Sequence, residues 1–234
     1  MALPFFYINE YTASQKEIIL NEETSKHIVQ VLRMKLREQL NLTDGKGTLL
    51  TCVITTENKR HCEVEVLSSV IFPLLSTKIT IAISLLKNAN RFEWFLEKAT
   101  EIGVTEIIPI ICERTEKEKF RYDRMQGICI SAMLQSLQCW LPVLQEPLLF
   151  EKFIKQSTAD YKFIAHCIDN GRKNLLEFPI YKLSTCQICI GQEGDFATHE
   201  IELSLQYNCI PVLLGATRLR SETVGLVAAL LLST

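Results

Sequence analysis

The pattern of apolar and polar positions changes period about a third of the way along the chain. Residues 3–8 (LPFFYI) read as a strand. Asn21 then precedes EETSKHIVQVLRMK, which has acids at its front, bases at its back and Ile28, Val31 and Leu32 on one face. That predicts a short amphipathic helix whose charges suit its dipole. Asp44-Gly45-Lys46-Gly47 marks a tight turn between the strand-like runs QLNLT and TLLTCVITT. In HCEVEVLSS, Cys62, Val64 and Val66 share one face, and His61, Glu63 and Glu65 share the other. Short antiparallel strands with one helix predict a small β-barrel over residues 1–72, with the boundary between Pro73 and Thr77.

Beyond that boundary the strands become continuously apolar, as expected when helices cover both faces of a sheet. KITIAISLL at 78–86 is the first. Asn88 or Asn90 can cap the following helix, whose stripe is Phe92, Phe95, Leu96, Ala99 and Ile102 and which Gly103 should end. A strand over 104–112 contains Pro109, which predicts a bulge or early termination. Met125, Ile128, Cys129 and Ala132 carry a helix stripe to about Gln138. Strands follow at 161–167, 186–190 and 210–214, with helices from Thr198 and over Glu222–Leu232. The last helix is apolar on nearly every side and calls for cover by more protein, plausibly a second subunit. Alternating strands and helices over 73–234 make an α/β domain with a mainly parallel sheet.

Composition narrows this picture modestly. A chain of 234 residues with 47% hydrophobic and 22% charged residues can bury a substantial core and is not disordered. Its longest apolar run, Val224 to Leu232, is too short to span a bilayer, and MALPFFYIN has no basic n-region, so a cytoplasmic chain without membrane attachment is expected. The nine cysteines read as reduced, buried thiols. Cys186 and Cys189 form a C-x-x-C inside a strand, where they face opposite sides, and no second pair or histidine cluster accompanies them, so no metal site is expected. The net charge of −2 gives no global basic field. Lys26, Arg33, Lys35 and Arg37 nevertheless have no acid among them, which suits either a solvated helix face or a phosphate-contacting patch.

Candidate chemistry concentrates in two loops. Gly191-Gln192-Glu193-Gly194-Asp195-Phe196 and the run from Leu214 to Thr223 each follow a strand and lead into a helix, which places them side by side at the carboxyl ends of neighbouring strands. Open α/β sheets bind ligands there. No G-x-G-x-x-G and no P-loop is present, so patterning alone leaves the ligand open.

Six motifs in order then resemble one family over almost the whole length. They are HIVQVLR at 27–33, DGKG at 44–47, RFEWFLEKATEIGVTEIIPIICERT at 91–115, AMLQS at 132–136 with Pro142, IGQEGDF at 190–196, and LLGATRLRSETVGLVAAL at 213–230. The chain resembles the RsmE family of 16S rRNA uridine N3-methyltransferases, within the SPOUT superfamily. The resemblance implies a PUA-like β-barrel, a SPOUT domain whose mainly parallel sheet contains a trefoil knot, a homodimer, and S-adenosylmethionine as cofactor. It places Ile190, Gly191, Glu193, Gly194, Leu214, Gly215, Leu219, Arg220 and Thr223 at that cofactor. Lys26, Arg33, Lys35, Arg37 and Lys98 would contact 16S rRNA in the small ribosomal subunit.

Uracil N3 is protonated at neutral pH, so the chemistry needs a group that stabilises charge developing on the base. Arginine suits an enolate-like oxygen, and Arg91, Arg114, Arg218 and Arg220 are the candidates. Glu193 suits either a base or a structural anion. Three residues depart from the family pattern: Gln192 where many relatives have proline, Asp195 where many have glycine, and Gln138 where arginine is frequent. Gln192 predicts a looser loop backbone and Asp195 a less comfortable positive φ, and these are the only support for a non-catalytic RNA-binding or assembly factor. A SPOUT methyltransferase with a different RNA target is a separate further reading.

Overall fold

The computed structural model describes residues 3–74, 77–116, 119–167, 172–180 and 184–233. The chain divides into two compact units, residues 1–74 with 133–141 and residues 75–132 with 142–234.

The first unit is a curled five-stranded sheet closed by a short helix. Strands β1 (Phe5–Tyr7), β2 (Glu17–Ile19), β3 (Gln39–Thr43), β4 (Thr48–Thr56) and β5 (Glu63–Ile71) run in the order β1-β3-β4-β5-β2. All pairs are antiparallel except β1 with β3, a parallel pair the alternation pattern did not announce. Every second residue of β3 and β4 is buried, and Leu40, Leu42, Leu50, Cys52, Ile54, Cys62 and Val64 form the core.

Helix α1 (Glu22–Lys26) is capped by Asn21, whose side chain accepts from Thr24 N at 2.8 Å. The helix then widens into a π-turn over His27–Val31, and the chain leaves through Arg33 at φ 55°. This widening breaks the expected stripe: Ile28 is fully buried, while Val31 and Leu32 are 68% and 44% exposed. The DGKG turn is held by Asp44 Oδ1, which accepts from Lys46 N and Thr48 N. Gly47 sits at φ 93°, and a Cβ there would lie 2.5 Å from the Trp140 ring, so both backbone and space require glycine. Trp140 Nε1 donates to Phe72 O, which fastens 133–141 over this turn.

The second unit is a parallel sheet flanked by helices. Its elements are β6 (Lys78–Ser84), α2 (Ala89–Ile102), β7 (Glu106–Ile111), α3 (Tyr122–Gln135), β8 (Val143–Leu144), β9 (Leu148–Leu149), α4 (Phe150–Gln156), β10 (Tyr161–Ala165), β11 (Lys173–Asn174), β12 (Thr185–Ile190), α5 (Thr198–Gln206), β13 (Ile210–Leu213) and α6 (Ser221–Ser233). The strand order is β11-β13-β10-β12-β6-β7-β8, with β9 also beside β7, and all these pairs are parallel.

Two expectations change here. Strands β12 and β13, which carry the two loops, are not neighbours, because β10 lies between them. Pro109 causes neither bulge nor termination: it pairs with Ile83 in unbroken register. Thr105 O and Ile107 O accept from Val143 N and Gln145 N, so by alternation residue 109 also faces that edge. There β8 ends opposite Ile107 and β9 begins opposite Ile110, leaving the missing N–H no ladder partner to lose.

Asn88, rather than Asn90, caps α2, and Gly103 ends it at φ 92°. Phe92, Phe95, Leu96 and Ala99 are buried. Helix α6 lies so close to α2 that a Cβ on Gly225 would fall 2.5 Å from Phe95 Cε2. Gly225, Ala228, Ala229 and Leu232 are buried on α6, while Leu230 is 54% exposed. Of the nine cysteines, all free, only Cys167 is exposed; Cys186 and Cys189 are both fully enclosed in the sheet.

Candidate active site

Because β10 separates β12 from β13, three strand ends converge on one cavity of about 650 Å³. Residues 165–167 after β10 form one wall, residues 190–193 with Asp195 another, and 212–221 with Val224 the third. Of the residues expected at a cofactor, Ile190, Gly191, Glu193, Leu214, Gly215, Leu219 and Arg220 line this cavity. Gly194 and Thr223 lie just behind it in the same two segments.

The first loop is fastened from several directions. Arg91 Nη1, from α2, pairs with Glu193 Oε1 at 2.9 Å, and its Nε lies 3.7 Å from Glu222 Oε1. Arg114 Nη1 donates to Gly194 O at 2.6 Å. Buried Gln192 accepts from Ser84 Oγ at 2.9 Å and donates through Nε2 to Asp195 O at 3.1 Å. Asp195, at φ 63°, accepts from Cys167 N at 2.7 Å and Phe196 N at 2.8 Å. Beyond the loop, Glu200 accepts from Ala197 N and Glu113 N, each through its own oxygen. The loosening expected from Gln192 is countered by its own side-chain bonds, and the positive φ expected at Asp195 is present, with its carboxylate accepting two amides.

Arg91 and Arg114 hold the loop from behind, whereas Arg218 and Arg220 line the cavity. Lys98 lies on α2 between Glu97 and Glu101, at 2.7 and 2.8 Å. Lys26, Arg33, Lys35 and Arg37 belong to the other unit. There Lys26 pairs with Glu22 and Lys35 with Glu57, while Arg33 and Arg37 are exposed at positive φ.

His166 is the site residue that sequence reasoning missed. It is 8% exposed, lines the cavity, and its Nδ1 is buried without a hydrogen-bond partner among the described residues. Burial pushes its pKa down, Asp195 pulls it back up, and Arg172 adds to the fall. A lone histidine after a strand carries no local signal; only the strand order brings it here.

Comparison with known proteins bears directly on this site. A family model described as an RNA methyltransferase domain matches residues 73–233, and an RNA methyltransferase PUA domain matches residues 20–67. The chain belongs to the RsmE family of RNA methyltransferases. Ribosomal RNA small subunit methyltransferase E of Rickettsia conorii is 25% identical over 225 residues, covering 95% of this chain and 91% of that one. A solved structure of a probable rRNA-methyltransferase from Porphyromonas gingivalis is 37% identical, with a TM-score of 0.89 and coverage of 97% of this chain and 95% of that one. Ribosomal RNA small subunit methyltransferase E from Neisseria gonorrhoeae, solved bound to S-adenosyl methionine, is 27% identical with a TM-score of 0.87 and the same coverages. This RsmE-family chain thus shares both its units with relatives of nearly equal length.

Proposed function

We propose that this chain methylates N3 of one uridine in the 16S rRNA of the small ribosomal subunit, using S-adenosylmethionine, as a knotted cytoplasmic homodimer. The observation that carries the reading is the cavity where β10, β12 and β13 end, walled by both loops and lined by Arg220. The residues fit the cofactor on three counts. The volume lies within the range of small-molecule sites. Gly215 leaves its backbone open, since a Cβ there would meet only Leu219 Cδ1, at 4.0 Å. The His166 Nδ1 adds a polar atom at the wall with no hydrogen-bond partner among the described residues.

Bound there, S-adenosylmethionine would supply an electrophilic methyl group on a sulfonium whose leaving group is a neutral thioether. The chain's residues do the rest. Leu214 and Leu219 offer apolar surface to the adenine, and the open backbone of the second loop offers hydrogen bonds. Arg220 donates to a uracil oxygen, so negative charge on the base is stabilised as N3 gives up its proton to solvent. Glu193 is occupied as the partner of Arg91, which favours the structural anion over the base among its two roles. Arg33 and Arg37, exposed on the first unit, suit contacts to rRNA phosphates, with Lys26, Lys35 and Lys98 reaching RNA only by leaving their carboxylates. A second subunit would cover exposed Leu230 on α6.

The assembly-factor reading rested on a weakened cofactor loop, and the bonds made by Gln192 and Asp195 remove that support. Mass spectrometry of 16S rRNA from cells lacking the gene tests the proposal. Loss of one N3-methyluridine, restored by the gene, supports it; an unchanged methyluridine complement rejects it.

A further inference from the structure

The bonds that fix the first loop form one continuous chain across the carboxyl ends of four strands. Gln192 sets its direction. Its Nε2 faces a carbonyl, Asp195 O, so its Oε1 must accept from Ser84 Oγ. The Ser84 hydroxyl has then spent its one proton and must accept from Thr115 Oγ1, 3.1 Å away. Thr115 Oγ1 in turn accepts from Cys112 N at 2.8 Å. At the other end the Asp195 carboxylate takes the Cys167 and Phe196 amides. The ends of β7, β6, β12 and β10 are thereby joined through four side chains, Thr115, Ser84, Gln192 and Asp195, of which Ser84 and Gln192 are buried.

Asp195 pays for its place with a left-handed backbone, φ 63°, that glycine would adopt without strain. Its carboxylate offsets that strain by accepting two amide hydrogen bonds. The bond from Cys167 N sets the position of the segment from Ala165 to Cys167, including His166, at the cavity wall.

We propose that Gln192 and Asp195 are positioning residues for the cofactor site: together they set the backbone of the first loop and hold the His166–Cys167 segment against it. The inference rests on the S-adenosylmethionine reading above. It makes an unusual forecast, because Asp195→Gly relaxes the backbone yet should weaken the site.

Titration calorimetry with S-adenosylmethionine on the full chain, paired with thermal unfolding of each variant, tests it. Asp195→Gly is expected to bind about tenfold more weakly, the scale of losing a charge-assisted hydrogen bond, with its unfolding midpoint unmoved or raised. Asp195→Asn keeps an acceptor and tolerates positive φ, so it should recover part of the loss. Ser84→Ala, which strands Gln192 Oε1, should weaken binding with no change to the loop's sequence, and it decides the matter if Asp195→Gly fails to fold. Wild-type affinity in both Asp195→Gly and Ser84→Ala overturns the inference alone, as does a loss that only tracks a fall in midpoint. Failure of the wild-type chain to bind overturns the cofactor reading and this inference with it.

Discussion

The two loops of the site are built on opposite plans. The first is tied to β6, β10, α2 and the Glu113–Thr115 segment by side-chain bonds at nearly every residue. The second, residues 214–220, is mostly exposed, and among the described residues no side-chain hydrogen bond or ion pair anchors it. A backbone bond, donated by Val224 N to Arg220 O, ties it where α6 begins. One loop is pre-organised and spends its polar groups on itself. The other keeps its polar groups available and takes its position from the elements at its two ends. A site that grips a small molecule while admitting a large, separately bound substrate has use for both plans.

The comparison breaks most visibly at Arg220. An unanchored arginine should contribute to chemistry and little to folding. Arg220→Ala is expected to lower the methylation rate on the order of 10²–10³-fold, as for a lost charge-stabilising donor, with an unchanged unfolding midpoint. A variant with wild-type turnover would take Arg220 out of the reaction, and a large fall in stability would show that the second loop is anchored after all.

The flank of the second loop can be attacked without touching the loop. Gly225→Ala puts a methyl 2.5 Å from Phe95, which is fully buried and cannot yield. Overpacking of this kind costs about 1–3 kcal/mol, against about 1 kcal/mol gained in helix propensity. A net loss of roughly 0 to 2 kcal/mol in urea unfolding is expected from these two terms. Because α6 carries the loop, S-adenosylmethionine affinity should fall as well. A net gain in stability would mean that the two helices can separate freely.

Glu200 tests the supports of the first loop. Its two oxygens take two different amides, Glu113 N and Ala197 N. Glu200→Gln would turn an NH₂ toward one of these donors, so the nominally conservative change should cost about 1–3 kcal/mol, the scale of a buried donor left unsatisfied. Equal unfolding curves for the two proteins would show that one of the two bonds is dispensable.

Much of this arrangement could be read from periodicity and loop chemistry, and what could not has a common cause. The strands at 78–84 and 185–190, the cap at Asn88 and the two glycine loops all rest on neighbours within a few residues. The insertion of β10 between β12 and β13 depends on pairing between distant segments, and with it goes the whole role of His166. The bonds that compensate at Gln192 and Asp195 lie beyond local rules for the same reason. Local rules price a lost proline and a positive φ, but the compensating partners Ser84 and Cys167 are 108 and 28 positions away. Pro109 is the mirror case, a locally forbidden residue excused by the gap between β8 and β9.

His166 gives the smallest effect and reports on the first loop alone. Its folded pKa is depressed below the ordinary 6.5, chiefly by burial. At pH 7.5 it is neutral whether the chain is folded or not and contributes nothing to pH dependence. As pH falls through 6.5 the unfolded chain takes up a proton that the folded chain resists, so stability drops, at no more than about 1.4 kcal/mol per pH unit. His166→Gln should remove this component, and the difference between the two proteins in urea should grow from pH 7 to pH 5.5. The charges acting on His166 are Asp195, which opposes the shift, and Arg172, which adds to it; neither arginine of the second loop takes part. Removing the opposing charge by Asp195→Asn should therefore deepen the acid loss without moving its onset, because the onset is set by the unfolded chain. An acid profile identical in wild type and His166→Gln would mean that the imidazole reaches water in the folded protein, and that the first loop does not seal the wall it is built against.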